Sequence, residues 1–289
     1  MHQRGRQEMT MSVITNTAAF AALRTFNKVG RELDAVQNRV STGLKVSGAL
    51  DDASNFAIAQ GIRGQLRAID AVTQGLNNAK GIAKVGLAGA TAFSDLMVDL
   101  RKKITEGANE GNSTAQQAIL QDDYAEMVAQ LRQILENSEF NGANVVVEVA
   151  IPYNLAVGPV LDIDVLSNTE GGTLRINGQR LDVSYARLEN EDIDTPANAL
   201  QALAVWEAAQ EALGQALGSL GADLRALELQ TVFLETIRDA TEEGLGNIVD
   251  TDLARDSAKL TALQVQQQLS GQTLGIANRS PQTLLGLFQ

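Results

Sequence analysis

The sequence contains no cysteine, and its single histidine, His2, is the second of 289 residues. Without cysteine there is no disulfide, no thiolate metal site and no thiol nucleophile. One terminal histidine also excludes a histidine-based zinc site and a Ser-His-Asp triad. The paired carboxylates Asp51 and Asp52 have no third ligand nearby, so we interpret them as charges at a helix N-terminus. We therefore expect no metal, no cofactor and no enzymatic activity.

Aromatic residues and prolines are also scarce. Seven Phe, three Tyr and one Trp are few for a compact core of this size, so burial must come from Leu, Ile, Val and Ala, which suits packed helices. All four prolines lie at or beyond Pro152. Because proline breaks helix interiors, this distribution leaves two long stretches that permit helices, with an interrupted middle between them.

The net charge is −12, which argues against nucleic-acid binding through bulk positive charge. The acidic excess lies between residues 51 and 250, and both ends of the chain are slightly basic. No run approaches the roughly 20 apolar residues of a membrane-spanning helix, so we expect no membrane insertion. Residues 1–10 lead into no apolar segment like that of a cleaved secretory signal.

Apolar residues recur every seven positions through the first long stretch. This a/d pattern predicts one helix of about 65 Å, twice the width of a small domain, which must lie along partner helices. The a positions hold Ile62, Ile69, Leu76, Ala83, Ala90, Met97 and Ile104, and the offset positions hold Val72, Ala79, Phe93 and Leu100.

Further helices follow with clear start signals. Ser113 and Gln116 match a capping box after the break at Gly107, and Thr195-Pro196 is typical of an N-cap followed by a first-turn proline. Three apolar seams in one chain can cover one another. We predict a mainly α fold, an elongated coiled-coil bundle with discontinuous N- and C-terminal halves. The last seam consists of Trp206, Leu213, Leu217, Leu220, Leu224, Leu227 and Leu234.

The middle of the chain, residues 145–195, has a different period. Its short, β-branched and roughly alternating segments predict a short variable β region. Asn177-Gly178 separates TLRI from QRLDV, and both turn residues tolerate positive φ. We therefore predict a type I′ β-hairpin at this position.

Several glycines interrupt the first long helix, and each costs roughly 1 kcal/mol of helix propensity relative to alanine. Either the helix is simply not optimised, or the small residues allow a neighbouring helix to approach closely. The glycines are Gly61, Gly64, Gly75, Gly81, Gly86 and Gly89.

Both ends of the chain return to helical periodicity and carry more apolar surface than one partner helix can cover. We expect other subunits to cover the remainder, and we expect these ends to be poorly ordered until assembly supplies that cover. The residues predicted to form this subunit interface are Phe26, Val29, Leu33, Val36, Val40, Leu253, Leu260, Leu263, Val265, Leu269, Leu274 and Ile276.

Three segments in order resemble bacterial flagellin. They are the stretch from Met11 that includes STGLKVSGALDDASNF, the EFNG segment at 139–142, and the tail that begins DLARDSAKLTALQVQQQL at Asp252. The resemblance implies a short flagellin that lacks large outer domains. It also implies a structural role, as a subunit that polymerises into the bacterial flagellar filament for motility.

The resemblance further implies a division of the chain into filament layers. Residues 1–10 fit it poorly and are either an extension or lie upstream of a true start at Met9 or Met11. The expected layers are 11–50 with 247–289 as the inner filament-core coiled coil, 51–144 with 196–246 as the outer helical rod domain, and 145–195 as the variable β region.

Partners and location follow from the same resemblance. They are other copies of the chain, a flagellin chaperone, the hook-filament junction and cap proteins, and the flagellar type III export apparatus, with an extracellular location in the filament. Flagellins sensed by the flagellin-sensing Toll-like receptor carry an arginine and a leucine on the long helix. Asp99 and Lys103 occupy those positions here, which implies weak receptor activation.

Two alternatives share the terminal helices. One is a hook-filament junction protein, which would not form long filaments alone. The other is a cell-surface flagellin homologue that binds polysaccharide, for which the middle region offers only Tyr153 and Tyr185 as aromatic platforms.

Overall fold

A computed structural model describes residues 15–147 and 162–285, with side chains through Arg279. Residues 1–10 and Tyr153, which figured in the predictions, lie outside these ranges. The mainly α prediction is confirmed. The helices are α1 (Thr17–Thr42), α2 (Ala53–Gly107), α3 (Thr114–Glu136), α4 (Leu181–Glu189), α5 (Pro196–Val249) and α6 (Leu253–Leu285), and the strands are β1 (Glu139–Phe140), β2 (Ala143–Asn144), β3 (Ile163–Leu166) and β4 (Thr173–Ile176).

The chain divides into two compact units. The first contains α1, α6, and the described residues up to Arg63 and from Glu242 onward, and α1 packs along α6 in it. The second runs from Gly64 to Thr241 and contains most of α2 and α5 with the remaining elements. The filament layers expected from the sequence remain a prediction.

The second unit is built on the apolar seams predicted for α2 and α5. Phe93, Met97 and Ile104 are fully buried, as is Leu213. The indole Nε1–H of Trp206 donates to the Met97 carbonyl oxygen at 2.7 Å. A helix with one continuous apolar stripe is stable when partners cover that stripe, and the buried residues of α2 share one core cluster with those of α3 and α5.

The predicted helix starts are confirmed. Ser113 forms a complete capping box with Gln116, whose side-chain oxygen accepts the Ser113 backbone N–H at 2.8 Å. α5 begins at Pro196, and the Asn198 backbone N–H donates to the Thr195 hydroxyl at 3.2 Å. Each side chain satisfies an N–H group that has no partner within its helix.

The hairpin predicted at Asn177-Gly178 is wrong. β4 ends just before it and pairs back with β3 in the register Ile163↔Ile176. Asn177 instead donates its backbone N–H to Asp223 on α5 at 2.8 Å. The turn residues are used to attach the sheet to a helix and not to reverse the chain.

The strand predicted after Asn177-Gly178 is also wrong, because this segment forms α4. Leu181, Tyr185 and Leu188 are buried on one face of this helix. Their spacing of four and three residues matches a helix better than a strand. The region 145–195 is therefore mixed among its described residues, with the sheet β3–β4 followed by a helix.

A type I′ geometry does occur, at Asn141-Gly142 in the EFNG segment. Asn141 has φ 52° and Gly142 has φ 81°, and this turn joins β1 to β2 with Phe140 opposite Ala143. Positive φ at both central residues is what this turn requires.

Three glycines of α2 lie against the stretch of chain that follows α3 and contains this turn. A Cβ added at Gly81 would meet the Phe140 ring at 2.9 Å, and one at Gly86 or Gly89 would overlap Val145 or Ser138. The interpretation of these glycines as sites of close helix approach is thus wrong at these three positions. They make room for the chain that follows α3.

Among the described helices, α2 is long and apolar enough to cross a membrane by length and composition alone. Its predicted seam, however, is buried inside the protein. The core helix of a soluble protein meets the same criterion, so the length and composition of α2 are weak evidence for a membrane span.

Candidate functional site

The terminal helices α1 and α6 share a small apolar cluster. Val29, Leu33 and Val36 of α1 are buried against Leu263 of α6. Val40 and Leu260 pack at its edges. One face of each terminal helix is therefore covered within the chain itself.

Polar contacts of Asn16 join α1 to α6 at the N-terminal end of α1. The Asn16 side-chain amide donates to the Ala277 carbonyl oxygen at 2.7 Å, and its oxygen accepts the Ala19 backbone N–H at 2.9 Å. Asn16 thus caps α1 and joins it to α6. The two helices are held in register over most of their described length.

The opposite face of α6 is exposed among the residues that the structure describes. Val265, Leu269 and Ile276 are 52%, 55% and 72% exposed. Their spacing of four and seven residues places them along one side of the helix, where the exposed Ala258 and Ala262 extend the stripe. A continuous exposed apolar stripe of this kind marks an interaction surface.

The structure separates the twelve predicted interface residues into three groups. Val265, Leu269 and Ile276 are exposed on the α6 stripe, and Leu253 is exposed on another side of α6, whereas Phe26 and Leu274 are half-buried. The remaining six belong to the intrachain cluster or its edges. Sequence reasoning missed Phe20 and Leu23, which are exposed on α1; their spacing of three residues was the available signal.

Backbone hydrogen bonds connect the two chain segments at the other end of the α1–α6 pair. The N–H groups of Lys45 and Val46 donate to the Val249 carbonyl oxygen, at 2.6 and 3.3 Å. The Thr251 N–H donates in return to the Gly43 carbonyl oxygen at 3.0 Å. These bonds join the two chain segments that connect α1 and α6 to the longer helices.

Asp51 and Asp52 lie close to these hydrogen bonds, at the N-terminus of α2, where the sequence predicted them to act as charges at a helix end. Asp52 accepts the N–H groups of Ser54 and Asn55 at 3.0 Å, as the cap of α2. Asp51 accepts the Ser47 hydroxyl at 2.7 Å and the N–H groups of Ser47 and Gly48. The Ser47 hydroxyl bond, followed by these backbone bonds, holds the pKa of Asp51 below its ordinary value of 3.8.

Acid should therefore loosen the connection between α1 and α2. A carboxylate with a lowered folded-state pKa stabilises the fold above pH 3.8, and this contribution is lost as pH falls through the folded-state pKa. We expect the Ser47 and Gly48 amides to lose protection from hydrogen exchange in that range. Asp51→Asn, which cannot titrate, should show no such step; the same step in both proteins would contradict the assignment.

The two positions linked to receptor recognition lie on α2. Asp99 is exposed, whereas Lys103 is half-buried with its ammonium 2.8 Å from Asp123 Oδ2 and 3.8 Å from Glu106 Oε2. Its bond to Asp123 raises the Lys103 pKa. Lys103 therefore forms an ion pair with Asp123.

The described residues contain no cluster of three or more His, Asp or Glu side chains placed to hold a metal ion. Tyr185 offers no platform for a sugar ring, because it is only 7% exposed and its hydroxyl donates to Glu189. The candidate functional surface among the described residues is therefore the set of exposed apolar residues on α1 and α6.

Comparison with known proteins agrees with this architecture. Residues 13–149 match the bacterial flagellin N-terminal helical region, and residues 203–288 match the bacterial flagellin C-terminal helical region. Flagellin FljJ of Caulobacter vibrioides is 31% identical over 97% of this chain and 99% of its own length. The flagellin of Brucella melitensis is also 31% identical, over 96% of this chain and 99% of its own.

Among solved structures, the crystal structure of Bacillus cereus flagellin covers 55% of this chain and 87% of that chain, with a TM-score of 0.49 and 19% identity. The matched relatives are as short as this chain, so they too lack large outer domains. Two family regions in the right order, together with relatives aligned from end to end, place the chain in the bacterial flagellin family.

Proposed function

We propose that this chain polymerises by burying the exposed stripe of α6, together with Phe20 and Leu23 of α1, against neighbouring copies. As a bacterial flagellin, the protein is a structural subunit of the flagellar filament. The observation that carries the proposal is that α6 has one apolar face covered by α1 and a second face that no described residue covers.

The free energy of apolar burial favours terminal helices, α1 and α6, that become fully ordered only when copies of the chain assemble. Fully burying a Val, Leu or Ile side chain is worth about 1.5–3 kcal/mol, and the α6 stripe has roughly half of that still to gain. Among the described residues, four buried apolar residues form the cluster between two helices of 26 and 33 residues. An isolated pair with so small a core is marginally stable, so neighbouring copies would supply much of its order.

Seeded growth tests this proposal. Purified chains added to short filament fragments should extend them into long tubes visible by electron microscopy. Amides of α1 and α6 should exchange rapidly in free chains and slowly in filaments. Failure to extend the fragments would contradict filament formation and favour a junction protein, and terminal helices equally protected in free chains would contradict coupled ordering.

The exposed stripe of α6 also supports a chaperone among the proposed partners. An exposed apolar helix inside a cell requires a shield before export, and we assign that role to a flagellin chaperone. We propose export through the flagellar type III apparatus, without a cleaved signal, to the extracellular filament. Contacts with the hook-filament junction and cap proteins belong to the same proposal, and membrane insertion and nucleic-acid binding do not.

We also propose that the chain activates the flagellin-sensing Toll-like receptor poorly. Asp99 reverses the expected charge, and Lys103 replaces an apolar side chain with a cation tied to Asp123. A reporter-cell assay should show much weaker activation than an enteric flagellin gives. The double variant Asp99→Arg with Lys103→Leu should raise it, and full activation by the unchanged chain would contradict the proposal.

A further inference from the structure

The chain contains two Asn-Gly pairs whose surroundings differ. They are Asn141-Gly142, in the turn between β1 and β2, and Asn177-Gly178, which follows β4. Asparagine is a thermolabile residue. A following glycine has no Cβ, so its backbone nitrogen can approach the asparagine side chain without steric hindrance. Both asparagines are exposed, so access to water does not distinguish the two pairs.

Hydrogen bonds to carboxylates hold the second pair. The Asn177 side-chain amide donates to both carboxylate oxygens of Asp223, at 3.1 and 3.0 Å, and the Asn177 backbone N–H donates to Asp223 at 2.8 Å. The Gly178 N–H donates to Asp162 Oδ1 at 3.1 Å. Hydrogen bonds to ionised groups are among the stronger ones. A carboxylate beside an N–H group also opposes loss of its proton, because the nitrogen would become negative next to a negative charge.

The first pair has no such restraint. Within the described ranges, no residue forms a hydrogen bond with the Asn141 side chain, and none accepts the Gly142 backbone N–H. Asn141 has φ 52°, in the left-handed region, and its turn joins strands of two residues each. A hairpin this short is marginally stable, so the turn opens locally at low cost. Opening frees the Asn141 backbone and lets the Gly142 nitrogen approach the side-chain carbonyl carbon.

We propose that Asn141 is a site of spontaneous deamidation and that Asn177 is protected from the same reaction. The Gly142 nitrogen gives up its proton and bonds to Asn141 Cγ, while the Cγ–Nδ2 bond breaks and the amide leaves with that proton as ammonia. The product is a succinimide ring. Water then adds to one of the two ring carbonyls and opens the ring, which leaves aspartate or isoaspartate. No group is oxidised or reduced.

Either product changes the turn. Aspartate adds a negative charge to a chain whose net charge is already −12. Isoaspartate adds a carbon to the backbone, which disturbs the register of Phe140 opposite Ala143. The Phe140 ring lies close over Gly81, where an added Cβ would meet it at 2.9 Å. Isoaspartate should therefore loosen the contact between this turn and α2, in free chains as well as in assembled ones.

Peptide mapping by mass spectrometry measures both sites in one sample. The folded chain is aged in mildly alkaline buffer and cut with trypsin, whose cuts after Arg132, Arg175 and Arg180 place the two pairs on different peptides. Conversion should be at least about tenfold faster at Asn141 than at Asn177, because bonds to charged groups must break before Asn177 reacts. Equal conversion at both sites, or faster conversion at Asn177, would overturn the inference.

The unfolded chain supplies the reference. In concentrated urea both pairs lose their tertiary contacts and should convert at nearly equal rates; a difference that persists there would overturn the structural explanation. In the folded chain, Asp162→Ala combined with Asp223→Ala should raise conversion at Asn177 about tenfold and leave Asn141 unchanged. The matched control combines Glu228→Ala with Glu235→Ala, two exposed acidic positions on α5, and should change neither rate. An unchanged rate at Asn177 without its two carboxylates would contradict the proposed protection.

Discussion

Truncating Val265, Leu269 and Ile276 to alanine is expected to raise the concentration of free chain at which filament growth stops by about a hundredfold. Each truncation removes about 1 kcal/mol of the burial that polymerisation would supply, since the side chains are only partly covered in the single chain. Three such losses sum to about 3 kcal/mol, and each 1.4 kcal/mol is a factor of ten. Alanine preserves helix propensity, so α6 itself should persist.

The chain offers a matched control for this experiment. Val98, Ile119 and Leu200 are the same three residue types, all lie on helices, and all are about 60% exposed in the second unit. Their truncation to alanine removes equal apolar surface away from α6 and should leave the critical concentration nearly unchanged. If both triple variants assemble alike in sedimentation assays, general hydrophobicity and not the α6 stripe drives growth.

Placing alanine at both Gly86 and Gly89 is expected to lower the free energy of unfolding of the second unit by about 2–4 kcal/mol. The new methyl at Gly86 would overlap Val145, a buried β-branched side chain with little rotamer freedom. The methyl at Gly89 would overlap Ser138, whose hydroxyl donates to the Ile134 carbonyl oxygen at 2.6 Å. The segment after α3 must move away from α2 to admit them.

Gly64→Ala provides the control on the same helix. A Cβ at Gly64 meets nothing within 4 Å, so alanine there should stabilise the protein by up to about 1 kcal/mol through helix propensity. Urea unfolding followed by the fluorescence of Trp206, the single tryptophan, measures all the variants. Stabilisation by Gly86→Ala and Gly89→Ala, as at Gly64, would show that the α2 glycines have no packing role.

The middle region shows where local sequence signals fail. Asn-Gly occurs at both 141–142 and 177–178, and only the first pair forms a type I′ turn. At the second pair, Asp223 lies 46 residues away in sequence and binds Asn177, a contact that no local pattern reports. QRLDVSY satisfies both a strand and a helix pattern, and burial of Leu181, Tyr185 and Leu188 against the helical core decides for the helix.

The sequence alone determined the long helices, their capped starts, their buried seams and the resemblance to flagellin, because period, caps and family motifs are local or linear features of a chain. Only the tertiary structure decided which apolar face of α6 is covered by α1 and which is exposed. It also decided that Gly86 and Gly89 accommodate a loop. Both outcomes depend on the distances between segments far apart in the sequence, which periodicity cannot specify.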